Sequence, residues 1–160
     1  MARVLPSCLL ILTLLAAPAG AWWPWSPGPC CEEAGWYQLD GGPLSWACTN
    51  RPDTGLWTLE DYIKEGDYSA ARQLAGKLMD GPEECFWWSE TMAVEFYVPS
   101  SKEFGSIRPA RPRGENFSYF VFGAALKRPK ETMPTLSAEA QDFVRWADEE
   151  TQKRLSLIHR

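Results

Sequence analysis

Carboxylate side chains beside two tryptophans are the part of this sequence that comes nearest to a catalytic pattern. Glu83–Glu84 precedes Trp87–Trp88, and Glu90 follows. Glycosidases place two carboxyl groups about 5 to 10 Å apart across the bond that they cleave. The glutamate pair also follows the turn signal Gly81–Pro82, so the simpler interpretation is a solvated turn with the two tryptophans divided between core and surface.

The single histidine, His159, lies one residue from the end of the chain. This position argues against Ser-His-Asp and Cys-His catalysis and against most histidine metal sites. The sequence also contains no glycine-rich phosphate loop and no dinucleotide fingerprint. We therefore predict a non-enzymatic protein without a cofactor or a metal, and keep a small hydrolase using Glu83, Glu84 or Glu90 as the third hypothesis.

The first twenty-one residues have the layout of a secretory signal peptide. Arg3 supplies the positive charge, residues 9–17 are apolar, and Ala19–Ala21 provides small residues at the cleavage site. Cleavage after Ala21 would remove Cys8 and leave an even number of cysteines. The predicted mature protein begins at Trp22 and is secreted into an oxidising compartment.

Four cysteines remain after cleavage: Cys30, Cys31, Cys48 and Cys85. Their spacing lacks the paired C-x2-C knuckles of zinc sites, so we predict disulfides. A bond between adjacent cysteines strains the intervening peptide. Two connectivities then remain open, Cys30–Cys48 with Cys31–Cys85, or Cys30–Cys85 with Cys31–Cys48.

Positive charge is concentrated in one part of an acidic chain. Loss of Arg3 changes the formal net charge from −5 to −6, whereas residues 100–130 carry +5. We predict that 100–115 is an exposed basic loop whose prolines keep Arg108, Arg111 and Arg113 extended into solvent. These arginines suit a sulfated glycan or an acidic protein partner, and the overall acidity argues against nucleic acid.

The nine tryptophans divide into two groups. Trp22, Trp23 and Trp25 alternate with prolines at the mature N-terminus, where they are candidates for contact with carbohydrate or a lipid surface. The tryptophans with apolar or helical neighbours are predicted to lie in the core: Trp36, Trp46, Trp57 and Trp146.

Asn116 begins the sequon Asn116-Phe117-Ser118. In a secreted chain this sequon predicts an N-linked glycan. The site would place the start of the following aromatic segment at the protein surface.

Hydrophobic residues at helical spacing predict three helices, over 59–64, 68–79 and 138–157. The first two form a helical hairpin. Thr58 begins a capping box, Asp67 or Ser69 caps the second helix, and Ser137 caps the last.

Two segments are predicted to be strands. Residues 92–98 alternate with period two up to Pro99, and the aromatic run 117–122 favours a second strand. The Trp- and Pro-rich region 22–56 is predicted to be irregular and held by the cysteines. The expected fold is α+β, a small disulfide-stapled domain over 22–160 with a helical hairpin, a short antiparallel sheet and a C-terminal helix.

Several short motifs resemble otospiralin, a family of small secreted proteins of inner-ear supporting tissue. They are Trp23-Pro24-Trp25-Ser26, Trp57, Gly66-Asp67-Tyr68, Leu74-Ala75 and Phe96-Tyr97-Val98-Pro99. The resemblance implies an extracellular, non-enzymatic role and assigns no catalytic residue. This chain departs from the family pattern in its four cysteines, its longer N-terminal loop and the segment after Pro99.

Together these features favour a secreted, non-enzymatic interaction protein that binds an extracellular protein or matrix partner. The alternative is a carbohydrate- or lipid-surface-binding protein that uses Trp22, Trp23 and Trp25. No apolar segment after residue 21 is long enough to span a membrane.

Overall fold

Antiparallel strands and helices make up the part of the chain that the computed structural model describes, residues 33–50, 55–89, 94–100, 106–128 and 135–158. The helices are α1 (Gly55–Glu65), α2 (Tyr68–Asp80) and α3 (Ala138–Ile158). The strands are β1 (Gly35–Leu39), β2 (Trp46–Cys48), β3 (Cys85–Trp87), β4 (Phe96–Val98), β5 (Ile107–Pro112), β6 (Tyr119–Phe122) and β7 (Leu126–Lys127). The predicted α+β class, with a helical hairpin, an antiparallel sheet and a C-terminal helix, is confirmed.

One seven-stranded sheet joins these strands in the order β3-β2-β6-β5-β4-β1-β7. Every pairing is antiparallel, and β1 pairs with β4 on one side and β7 on the other. In β1 the side chains of Tyr37 and Leu39 are buried, whereas Trp36 and Gln38 face outward. This period of two follows from the pleat of a strand and gives this part of the sheet an inner and an outer face.

Two stretches that the sequence predicted to be irregular contain strands. Within 22–56, β1 and β2 are strands, and the turn at Asp40–Gly42 separates them. Both strands are short, and β2 has no alternation of polar and apolar residues because all three of its residues are buried. β1 and β2 form because they pair with strands that are distant in the sequence. The local sequence pattern does not reveal such pairing.

The prediction of an exposed loop over 100–115 is wrong for 107–112, which form the central strand β5. This strand pairs with β6 through residues 107–110 and with β4 through 111–112. Pro109 is therefore paired only with β6, and Pro112 only with β4. Each proline can direct the side that lacks an N–H donor toward the unpaired side of the strand, so both are tolerated. The expectation that the segment is extended is correct.

The helical hairpin forms where apolar spacing predicted it, but the predicted capping box at Thr58 is wrong, because Thr58 lies inside α1. α1 begins at Gly55, four residues earlier than expected, and buries Leu56, Leu59 and Ile63. The chain reverses at Gly66, which has a φ of 76° that favours glycine. The Asp67 carboxylate then accepts the N–H of Ala70 at 3.0 Å and caps α2, as predicted.

The C-terminal helix α3 covers the β3 edge of the sheet. Ser137 caps it, because its hydroxyl accepts the N–H of Ala140 at 3.2 Å. Phe143 is fully buried against Trp46. The buried hydroxyl of Thr151 accepts the N–H of Trp87 at 3.0 Å, which satisfies a donor on β3, the edge strand of the sheet in the described part of the chain.

A disulfide joins Cys48 to Cys85. This bond contradicts both predicted connectivities, each of which paired Cys48 and Cys85 with Cys30 and Cys31. The antiparallel register places Cys48 directly opposite Cys85, a long-range relationship that cysteine spacing does not contain. Cys30 and Cys31 lie outside the described residues, as does the whole segment 1–32.

The core tryptophans differ in part from prediction. Trp46 is fully buried, but Trp36 and Trp57 are 38% and 40% exposed, so their assignment to the core is wrong. Trp146 is half-buried and packs against Phe143. Trp36 occupies an outward-facing position of β1, and Trp57 lies on α1. Both have apolar neighbours in the sequence, but adjacent residues of a strand or a helix do not share one face.

Candidate functional site

The outer side of the sheet brings together residues from three separate parts of the chain. Arg111 of β5 is paired with Tyr97 of β4, and Tyr97 is paired with Trp36 of β1. Directly paired residues point to the same face of a sheet, so these three side chains form one row across the strands. Their neighbours along the strands are buried, as at Phe96 and Pro112, which confirms that the row faces outward.

Each ring in this row is in contact with a guanidinium group. The Arg111 Cζ lies 5.6 Å from the centre of the Tyr97 ring, and the Arg113 Cζ lies 4.1 Å from the Trp36 ring. The two rings meet edge to face with centres 5.6 Å apart. We call Trp36, Tyr97, Arg111 and Arg113 the arginine–aromatic face. Exposed cation–π contacts contribute about 0.5 to 1 kcal/mol each, so they hold the side chains in this arrangement.

The two arginines of the face differ in charge compensation. Arg113 donates from Nε to the Glu95 carboxylate at 2.9 Å, and its backbone N–H donates to the Glu95 carbonyl at 2.9 Å. Arg111 forms no ion pair with any carboxylate among the described residues. Arg111 therefore provides the uncompensated positive charge of the face, and Arg113 is fixed over Trp36.

Arg108 does not join the other two arginines, contrary to the prediction of one basic contact. It lies three positions before Arg111 on β5, and an odd offset places side chains on opposite faces of a strand. Arg108 is paired with Val121, which is fully buried. Its stem passes beside Gly123, where a Cβ would lie 3.5 Å from the Arg108 Cγ.

A further cation lies on the same outer side. Lys127 of β7 is paired with Gln38, which lies two residues after Trp36 on β1. Lys127 therefore shares the face of Trp36, one strand further from Arg111. Sequence reasoning counted Lys127 in the basic segment 100–130, but it missed Trp36 and Tyr97 as residues of this surface. The signal for Trp36 was the alternation Trp36-Tyr37-Gln38-Leu39, which was too short to identify alone.

A buried acid lies at the end of β1. One oxygen of the Asp40 carboxylate accepts the N–H of Gly42 at 2.8 Å and the hydroxyl of Ser45 at 2.7 Å, which shapes the turn to β2. Burial raises the pKa of Asp40 to about 6, although these hydrogen bonds and the nearby Lys127 charge act to lower it. Asp40 is thus a structural acid that titrates near neutral pH.

Among the described residues, the carboxylate and tryptophan pattern does not form a sugar-binding cleft. Glu83–Glu84 lies in the turn after α2, as predicted, and Glu84 accepts the hydroxyl of Thr49 at 2.9 Å. Trp87 and Trp88 are both buried, so neither offers an open ring beside those carboxylates. Glu90 lies outside the described residues.

Asn116 is exposed in the connection between β5 and β6, together with Ser118. Phe117 between them is 49% exposed, and its ring packs edge to face against the Tyr119 ring with ring centres 5.2 Å apart. The sequon is therefore accessible on the folded protein, which a glycan at this position requires.

Other predicted features fall on residues that the structure leaves undescribed. They are the signal peptide at 1–21, the contact tryptophans Trp22, Trp23 and Trp25, and the cysteines Cys30 and Cys31. Within the described ranges, histidine, cysteine and acidic side chains form no group suited to a metal ion. In the same part of the chain, none of the helices has the length and apolarity that crossing a bilayer demands.

Comparisons of this chain with protein-family models, with curated proteins and with solved structures gave no match.

Proposed function

We propose that this chain is a secreted protein that acts by binding an extracellular protein or matrix partner through the arginine–aromatic face. The observation that carries the proposal is the row from Arg111 through Tyr97 to Trp36 on the outer side of three paired strands. Tryptophan, tyrosine and arginine are the residues that most often dominate the energy of protein interfaces.

The surrounding features support an extracellular setting. The signal-peptide pattern at 1–21 and the accessible sequon at Asn116 are typical of secreted chains. The Cys48–Cys85 disulfide is compatible with an oxidising compartment. The otospiralin resemblance implies the same setting and a role without catalysis.

The test measures binding of purified, fluorescently labelled protein to decellularised extracellular matrix. Trp36→Ala should weaken binding by about tenfold, because loss of a tryptophan anchor typically costs more than 1 kcal/mol. Trp57→Ala is the matched control, since Trp57 is exposed to the same extent but lies on α1.

Thermal unfolding of both variants separates a binding effect from a folding effect. Equal binding by Trp36→Ala and wild type would overturn the proposal. Loss of binding only in a triple alanine variant of Trp22, Trp23 and Trp25 would assign binding to the N-terminal tryptophans instead.

A further inference from the structure

We propose that the partner of the arginine–aromatic face is a sulfated glycan, held by Arg111 at one end and Lys127 at the other. This inference rests on the proposed function and adds the chemical class of the partner. It also assigns different roles to the charged residues around the row.

The geometry of the row suits an extended polyanion. Neighbouring strands lie about 4.8 Å apart, so Arg111 and Trp36 are separated by about 10 Å across the sheet, and β7 adds one more strand. Lys127 then lies roughly 15 Å from Arg111 on the same outer side. A linear chain that crosses the strands can present successive anionic groups to these two cations.

The character of the aromatic rings favours a glycan over an acidic protein. A protein interface gains most from an apolar centre that becomes fully buried. Here Arg113 lies over Trp36 and Arg111 lies over Tyr97, so the exposed rings are presented together with cationic groups rather than as a purely apolar centre. What the face offers instead is charge with fixed direction, and the guanidinium fork matches the oxygens of a sulfate group.

The charge distribution of the chain points the same way. Residues 100–130 carry +5 in a mature chain of net charge −6, so the remainder is strongly acidic. The net charge of the segment that supplies Arg111 and Lys127 therefore attracts a polyanion, whereas the net charge of the remainder repels it.

Glu95 limits the affinity, because it is the carboxylate that compensates Arg113. Arg113 acts as a positioning residue that keeps Trp36 in place, whereas Arg111 contacts the anion. Removing the negative charge of Glu95 should therefore strengthen binding of a polyanion. A damaged fold would not produce such a gain.

The experiment measures the Kd of the purified protein for heparin at several salt concentrations around 0.15 M. Arg111→Ala and Lys127→Ala should each weaken binding by about two- to fivefold, the range of exposed ion pairs. Glu95→Gln should strengthen it by a similar factor. Affinity should fall as salt rises, because exposed charges are screened.

Two control variants remove one positive charge elsewhere. Arg145→Ala changes an exposed residue of α3, and Arg108→Ala changes the opposite side of β5. Both should bind heparin with a Kd within twofold of wild type. Equal binding by Arg111→Ala and wild type, or no gain in Glu95→Gln, would overturn the inference.

Competition during matrix binding separates this inference from the proposed function. Heparin should displace the protein from matrix, whereas chemically desulfated heparin and polyglutamate should not. If matrix binding requires Trp36 but heparin does not displace the protein, the proposal of a glycan partner is overturned and a protein partner is retained. Displacement by polyglutamate as effective as by heparin would assign an acidic protein. A protein that does not bind matrix at all would overturn both proposals.

Discussion

Cys48 and Cys85 face each other directly across the β2–β3 pair, and their sulfur atoms are bonded. Both residues are buried and are separated by 37 positions in the sequence, and the segment between them contains the whole helical hairpin. The bond thus closes the loop that α1 and α2 form and fixes both of its ends to the sheet.

Loss of this disulfide should destabilise the fold substantially. Closing a loop of this length stabilises a protein by about 4 kcal/mol in the chain-entropy model. We expect Cys48→Ala/Cys85→Ala to lower the free energy of unfolding by roughly 3 to 4 kcal/mol in urea titrations. A control with Cys30→Ser/Cys31→Ser should retain the Cys48–Cys85 bond in peptide mapping. A bond from Cys48 to Cys30 or Cys31 in the wild type would contradict the structure.

The contact between α3 and the edge of the sheet gives a second prediction. Thr151→Val keeps the shape of the side chain but removes the acceptor of the Trp87 N–H, which leaves a buried donor unsatisfied. This change should cost about 1 to 3 kcal/mol. Thr151→Ser keeps the hydroxyl and is the matched control. Equal unfolding midpoints for Thr151→Val and wild type would mean that another acceptor replaces the threonine.

The helices were predictable because their signals are local. Asp67 caps α2, Ser137 caps α3, and apolar spacing marks the buried side of each helix. The position and type of these elements follow from residues within a few positions of each end. The start of α1 was predicted four residues too late, because Thr58 begins a capping-box pattern inside the helix that forms.

The sheet and the candidate site could not be predicted because they depend on pairing between distant segments. The prolines of 107–112 argue against a central strand until one knows that β4 and β6 pair with different parts of it. Trp36, Tyr97 and Arg111 become neighbours only through the strand order. The sequence identified Arg111 and Arg113 as a candidate contact, but not the rings that hold them or the separation of Arg108.

The sequon leads to a prediction about modification. Asn116 and Ser118 are exposed, so the protein secreted by mammalian cells should carry a glycan that an endoglycosidase removes. Asn116→Gln should abolish the mass difference before and after the enzyme, and Ser118→Ala should do the same. Ser118→Thr keeps the sequon and should keep the glycan. An unchanged mass of the wild type after enzyme treatment would show that the site is not used.

The buried carboxyl group of Asp40 makes stability depend on pH. Burial raises its pKa to about 6 in the folded protein, above the ordinary value of 3.8 that applies when the chain is unfolded. Between pH values of about 4 and 6, Asp40 holds a proton in the folded state that it has lost in the unfolded state. The contribution of this proton to the stability of the fold is therefore complete below about pH 4 and is lost as the pH rises through 6.

A shift of this size corresponds to at most about 3 kcal/mol, and Asp40→Asn should remove it while keeping an acceptor for the Gly42 N–H. The measurement is urea unfolding of wild type and Asp40→Asn from pH 4 to pH 7.5. The free energy of unfolding of wild type minus that of Asp40→Asn should decrease from pH 4 to pH 7.5. Taking this difference cancels the contribution of the other titrating groups, because both proteins contain them. A difference that stays constant, or that increases with pH, would show that the folded protein does not hold this proton.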